Sequence, residues 1–365
     1  MLFTLLIVLC ILTTLLLFTA LILRLPAFGR NPLGDRLKRV QGSAQYKGDH
    51  FENIEKTMLM AEGASYTKMM SEFFKKGIDR EPKKKLPFVR TDLHSLENNG
   101  FVWFGHSSYL LRVENRNILV DPVFSDRASP IQFVGMRAYE GANTYHPQDM
   151  PPLDAIIITH DHYDHLDYQT IKALQRQTKM FYTSIGVGQH LEQWRIPKEK
   201  IVEMDWWESL EIFQNATLTA APARHFSGRG IVRNKTLWSS FVLETPDLKL
   251  FIGGDSGYDQ SFKKIGDKFG PFDVAIVEAG QYDVKWPQIH MSPEEAVQAS
   301  LDLRARVLLP VHWGKFTLAL HPWNEPIVRV MNEAAKRDVE VATPMIGERV
   351  YLKKISSLPQ WWNEH

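Results

Sequence analysis

A mixed α/β domain carried behind an N-terminal membrane-spanning helix is the architecture the sequence predicts, on three observations. Residues 1–23 contain no charged side chain and are mostly Leu, Ile, Val and Phe. From Phe101 onward, short β-rich runs alternate with turns and helical patterns. Several of those runs end in His or Asp, as strands do when they deliver side chains from their C-terminal ends.

The first element follows from length and apolarity. These 23 uncharged residues would form a helix of roughly 35 Å, enough to cross a hydrocarbon core with some tilt. No basic stretch precedes the run, no small-x-small cleavage site stands out, and the bulky Leu9 precedes Cys10. An uncleaved single-pass anchor is therefore expected rather than a signal peptide. Arg24, Arg30, Arg36, Lys38 and Arg39 follow it, so the positive-inside rule places the body on the cytoplasmic side. The same cations could rest on anionic headgroups.

Residues 24–99 read as a basic linker and preamble, punctuated by Pro26, Gly29, Pro32 and Gly34 and by the run Pro82-Lys83-Lys84-Lys85-Leu86-Pro87. Residues 100–355 read as one large domain and 356–365 as a tail. Within the domain, 101–104, 109–113, 118–120, 155–159, 217–221, 237–243, 250–252, 274–277 and 307–311 read as strands. Residues 167–177 have helical character, and 292–303 open with Ser-Pro-Glu-Glu, an N-cap with Pro at N1 and two acids in the first turn.

Composition narrows the function. The net charge of +1 hides an asymmetry: residues 24–90 carry 15 Lys/Arg against 8 Asp/Glu, and residues 91–365 carry 28 against 34. An acidic body is a poor surface for nucleic-acid phosphates. The single cysteine, Cys10, permits no intrachain disulfide and supplies no thiolate in the body. Any metal there must be held by His and carboxylate.

The chemistry concentrates at the end of Ile156-Ile157-Ile158-Thr159, which runs into His160-Asp161-His162-Tyr163-Asp164-His165. Two His on one helix face would be three or four residues apart. A spacing of two needs a strand end or loop, from which several donors can point into one cavity. Neutral imidazole and carboxylate suit Zn²⁺ and related divalent ions. His225, Asp255 (in Gly253-Gly254-Asp255-Ser256-Gly257) and His312 each follow another strand-like run.

This order, His-x-His-x-Asp-His, then a distant His, a Gly-Asp and a late His, resembles the metallo-β-lactamase superfamily. A finer resemblance is to the N-acylphosphatidylethanolamine-hydrolysing phospholipase D group and its bacterial relatives. It rests on Asp121-Pro122-Val123-Phe124-Ser125-Asp126-Arg127, Asp205-Trp206-Trp207-Glu208, Leu237-Trp238-Ser239-Ser240, Gly254-Asp255-Ser256-Gly257-Tyr258 and His312-Trp313-Gly314. It covers roughly residues 100–320.

The resemblance implies a four-layer αβ/βα sandwich. It implies one divalent metal ion, Zn²⁺ by preference, held by His160, His162 and His225, and a second held by Asp164, His165 and His312, with Asp255 bridging. Asp164 would also guide the proton of a shared water. Asp121 would orient a ligand from outside the set, with His106 in a similar part. His290 matches a position tied to activity and could contact a phosphate oxygen or protonate a leaving group. Tyr163 and Trp238 are candidates to touch substrate. Ile289 departs from the polar residue of mammalian members, as does the apolar N-terminal helix.

The leading expectation is a membrane-anchored phosphodiesterase of phospholipase D type, acting on N-acylphosphatidylethanolamine or a related lipid, with the bilayer as partner. Trp206, Trp207, Trp238, Trp286, Trp313 and Trp323 could offer interfacial surface, though most of them are expected to be ordinary core. A lactonase or other ester hydrolase is the alternative, since one fold hosts many chemistries. A non-catalytic metal-binding membrane module comes third, because the donor set is larger than a closed structural zinc site needs.

Overall fold

The computed structural model of the chain describes residues 2–73, 75, 77–355 and 358–364. Helix α1 (Leu2–Ile22) matches the apolar run and is exposed along its length. It is followed by α2 (Gly34–Gln41), the hairpin β1 (Tyr46–Lys47) and β2 (His50–Phe51), and α3 (Tyr66–Phe73). The first half of the body then runs β3 (Gly100–Trp103), β4 (Tyr109–Val113), β5 (Arg116–Val120), β6 (Leu153–Ile158), α4 (Tyr168–Leu174), β7 (Thr178–Ser184), α5 (Gly188–Gln193) and β8 (Ile201–Met204). The second half runs β9 (Ser209–Phe213), β10 (Ala216–Ala221), β11 (Ser240–Glu244), β12 (Lys249–Ile252), α6 (Ser261–Phe269), β13 (Phe272–Glu278), α7 (Pro293–Asp302), β14 (Ala305–Val311), α8 (Glu325–Arg337), β15 (Glu340–Val341) and β16 (Arg349–Tyr351).

These strands form two seven-stranded sheets, ordered β16-β3-β4-β5-β6-β7-β8 and β15-β14-β13-β12-β11-β10-β9. Alternation along each strand explains the layering. Phe101 and Trp103 of β3 point into the core shared by the two sheets, while Val102 points to the opposite face. That outer face is covered by α4 and α5 through Ile171, Leu174 and Leu191. The other sheet is covered by α6, α7 and α8 through Phe262, Ile265, Val297 and Val330. The result is the αβ/βα sandwich expected. In both sheets the strands around the centre run parallel, β5 with β6 and β12 with β13 and β14, so their C-terminal ends gather along one edge.

Two expectations are corrected. The stretch after α1 is no loose linker. Arg36 pairs with Glu203 at 2.6 Å and Glu192 at 2.9 Å, and Arg39 with Glu208 at 2.6 Å, so these cations are committed to the body rather than to headgroups. Val40 and Phe51 are buried with Ile185, Trp206 and Trp238. Nor is the described part of the C-terminal segment a free tail: Trp361 stacks on Trp313 at 5.1 Å, and Trp362 is buried. Both segments carry sparse apolar side chains that each find a pocket on the domain.

Arg36→Ala should therefore cost stability, because it leaves the buried Glu203 without its counter-charge. A loss of about 3 kcal/mol is expected for breaking one side of such a pair, read as a lower denaturant midpoint. An unchanged midpoint would return this segment to the status of a tether.

Candidate metal centre

The edge where the parallel strands end carries the site. Asp121 follows β5, His160 follows β6, Asp255 lies three residues past β12, and His312 follows β14, while His225 lies four residues past β10. All seven expected ligands meet there. His160 Nε2 and His225 Nε2 lie 3.0 and 3.2 Å from His162 Nδ1, and both lie 3.7 Å from Asp255 Oδ2. On the other side, His165 Nε2 is 3.1 Å and His312 Nδ1 3.2 Å from Asp255 Oδ1, with Asp164 Oδ2 3.6 Å from His165 Nε2. Asp255 thus faces both sets, one oxygen to each.

These distances suit ligands of divalent ions. Donors about 2.0–2.1 Å from one tetrahedral ion lie about 3.3–3.4 Å from each other. His165 Nε2 and Asp255 Oδ1 are buried without a hydrogen-bond partner, although buried polar atoms normally have one. Burial, followed by the neighbouring imidazoles, holds His160, His225 and His312 well below the ordinary histidine value, so they are neutral with lone pairs to donate. Burial also lowers His165, but Asp255, Asp164 and Asp121 outweigh it and raise this imidazole well above its ordinary value. The Asp255 carboxyl is pushed up to about 6 by burial, against the pull of His165. A pair of cations would reverse these local preferences and hold Asp255 as carboxylate. The His/Asp clusters fit a binuclear metal site.

The supporting residues are equally specific. Asp121 Oδ2 accepts from His165 Nδ1 at 2.8 Å and Thr159 Oγ1 at 2.6 Å, and its Oδ1 accepts from Thr159 N at 2.8 Å. That locks the ring whose other nitrogen faces the site. His106 Nε2 sits 2.9 Å from Asp164 Oδ2 and its ring lies 4.1 Å from that of His312. Asp121, His106 and His312 all have positive φ, at 40°, 54° and 69°, a strained conformation for non-glycine residues that only a committed surrounding structure sustains. At Gly254 a Cβ would come within 2.8 Å of Thr159 Cβ and 2.9 Å of Ser239 O, so only glycine lets the Asp255 loop approach the ligand loop this closely.

Asp121→Ala should weaken metal binding about 10–100-fold, as loss of an outer carboxylate partner does. Competition against a chromogenic chelator would measure it. Affinity equal to the parent chain would remove Asp121 from the support of His165.

Two residues escaped the sequence reading. Glu278, at the end of β13, is buried, and its Oε2 lies 2.9 Å from His290 Nδ1 while Oε1 accepts from Ser256 N at 2.8 Å. Burial pushes the Glu278 carboxyl well above its ordinary value and His290 below its own, so this pair shares a proton rather than forming an ion pair. The signal was present: an acid closing the apolar run Val274-Ala275-Ile276-Val277 repeats the pattern of Asp255 and His312. Asp161 accepts from Gly228 N at 2.7 Å and from Thr236 Oγ1 at 3.0 Å, and pairs with His190 at 3.1 Å. Here the spacing gave no hint, because the partners come from distant loops.

His290 stacks on His312 at 5.3 Å, and beside it opens a cavity of about 400 Å³ whose lining includes Tyr282, Val284, Pro287, Leu320, His321 and Arg329. Tyr163 follows His162 and packs against the Arg229 guanidinium at 4.2 Å. Trp238, expected at the substrate, is buried instead, donating its indole N–H to Asn53 Oδ1 and Ala223 O, both at 3.0 Å. It props the segment leading to His225. Trp206, Trp313 and Trp323 are likewise core residues, and Trp207 is exposed.

Comparison with known proteins agrees with this geometry. Residues 116–313 match the β-lactamase superfamily domain model. The chain is 45% identical over 269 residues to an uncharacterized protein of Mycobacterium tuberculosis, covering 71% of this chain and 70% of the relative. It is 34% identical over 240 residues to N-acyl-phosphatidylethanolamine-hydrolyzing phospholipase D 1 of Caenorhabditis elegans, covering 62% of this chain and 67% of that protein. The structure of Igni18, a metallo hydrolase from Ignicoccus hospitalis, superposes with a TM-score of 0.54 at 19% identity, over 69% of this chain and 97% of that one.

Proposed function

The chain belongs to the metallo-β-lactamase superfamily, has its fold and is a metal-dependent hydrolase, and from that premise we propose that it is a membrane-anchored phosphodiesterase of phospholipase D type. The substrate is N-acylphosphatidylethanolamine or a related phospholipid. The observation that carries this reading is the pairing of a two-metal donor set with His290, which clusters with Asp255 and His312 and whose ring lies 5.0 Å from that of His225. A 34% identical relative named for this activity supports it.

Two divalent ions, Zn²⁺ in this reading, would be held by His160, His162 and His225 on one side and Asp164, His165 and His312 on the other, with Asp255 between; bound there they supply Lewis acidity and an acidified water. The chain's own residues do the rest. Asp164, held by His106, accepts the proton of the attacking water. His290 delivers a proton to the oxygen of the departing N-acylethanolamine as its bond to phosphorus breaks, and Glu278 keeps that imidazole oriented and supplied. Water adds to phosphorus, leaving phosphatidic acid and the free alcohol.

In this reading α1 is an uncleaved anchor and the body lies on the cytoplasmic side, following the charges of Arg24 and Arg30. It is tested with the metal-loaded full chain in vesicles, offered N-acylphosphatidylethanolamine, phosphatidylcholine and an acyl lactone. Release of N-acylethanolamine and phosphatidic acid is expected. Turnover of the lactone alone would replace the proposal with an ester hydrolase.

A further inference from the structure

Beyond residue 23, the three most exposed large apolar side chains among the described residues are Phe133 and Val284, each 83% exposed, and Ile231 at 79%. All three stand on loops that border the metal centre. Gln132, next to Phe133, lines a crevice together with Tyr163, Arg229 and Ala27. Ile231 and Val232 line a pocket with Leu23, Phe28 and Arg30, a few residues past Phe226, whose ring packs on His162 at 4.5 Å and His225 at 4.8 Å. Val284 lines the cavity beside His290.

Leaving such side chains in water forgoes the gain of burying them, and exposed apolar surface around an opening marks an interaction site. Chain continuity says what covers it. The residues directly after α1 are bonded to the ligand loop. Arg229 donates to Ala27 O from Nε at 3.0 Å and Nη2 at 2.7 Å, and from Nη1 to Asp161 O at 2.6 Å and Leu166 O at 2.7 Å. Arg30 N donates to His190 Nδ1 at 2.8 Å, and His190 Nε2 pairs with Asp161 Oδ2 at 3.1 Å. The Phe28 and Tyr163 rings meet edge to face at 6.3 Å. The end of the apolar helix and the mouth of the metal centre are thereby held on one face of the body.

We infer that this face lies against the bilayer, with Phe133, Ile231 and Val284 dipping into the boundary between headgroups and acyl chains, so that the metal centre opens onto the lipid surface. Arg24, Arg30 and Arg233 are exposed on the same segments, and cations there suit lipid phosphates. The inference rests on the proposed reading of a hydrolase that works at a bilayer.

The test uses the full chain in phosphatidylethanolamine–phosphatidylglycerol vesicles. An environment-sensitive fluorophore is placed, on a Cys10→Ser background, at Phe133→Cys, Ile231→Cys or Val284→Cys. Asn115→Cys is the control, in the β4–β5 turn at the opposite end of the strands from Asp121. Native Cys10 reports on α1. The three loop labels are expected to shift to the blue and to be quenched by spin-labelled acyl chains, at about 5–10 Å below the headgroups, while the control is unaffected. Loop labels that behave like the control overturn the inference, and a quenched Cys10 label in the same series would leave the anchor reading standing. Quenched loop labels with an unquenched Cys10 label would keep the inference and withdraw the anchor.

Discussion

Asp255→Ala is expected to lower kcat/KM for a phosphodiester by about 10³-fold or more. Its two oxygens face different donor sets, Oδ1 toward His165 and His312 and Oδ2 toward His160 and His225. Removing the carboxylate leaves the two sets with nothing negative between them, so a second bound cation meets the full repulsion of the first. Metal content should fall below two ions per chain along with the rate. The side chain is small and its loop is held by Gly254 against Thr159 and Ser239, so the fold should survive, as far-ultraviolet dichroism would report. A variant that kept both ions and its full rate would remove Asp255 from the bridge.

The second large effect is expected at His290. His290→Ala should lower kcat by about 10²–10⁴-fold, the usual worth of a positioned general acid, with KM nearly unchanged. The defect should depend on the leaving group. An N-acylethanolamine oxygen must be protonated as it departs, whereas p-nitrophenolate leaves without help. Activity toward a p-nitrophenyl phosphodiester should therefore be largely retained. Glu278→Gln keeps the volume and an acceptor for Ser256 N but cannot pass a proton to His290 Nδ1, and should show the same leaving-group dependence in weaker form. An equal loss on both substrates would mean that His290 shapes the site and moves no proton.

What the sequence made legible was whatever is local. A loop of four candidate donors in six residues, each strand run that ends in His or Asp, and the capping box of α7 all sit within a few residues, and the structure brings the candidate donors together. Ser292 Oγ accepts from Glu295 N at 3.3 Å, and the Glu295 side chain returns the bond to Ser292 N at 2.9 Å. What it hid depends on distant partners. Glu278 looks like any strand-end acid until His290 is brought to it from twelve residues on. Trp238 looks like surface until Asn53, from the preamble, claims its indole N–H. The preamble itself has no periodicity, because Val40 and Phe51 enter pockets that the domain supplies. Arg36 and Arg39 illustrate the same limit, reading as headgroup cations in one dimension and as partners of Glu203 and Glu208 in three.

Every role assigned to the site depends on two ions sharing one set of seven side chains, five of them buried and two half-buried. Mass-spectrometric metal content of the purified full chain, loaded with Zn²⁺ and freed of excess by dialysis, tests this most directly. Two ions per folded chain are predicted, falling in step with activity when a chelator is added. A folded chain that retained no ion, or whose activity was indifferent to their removal, would contradict it.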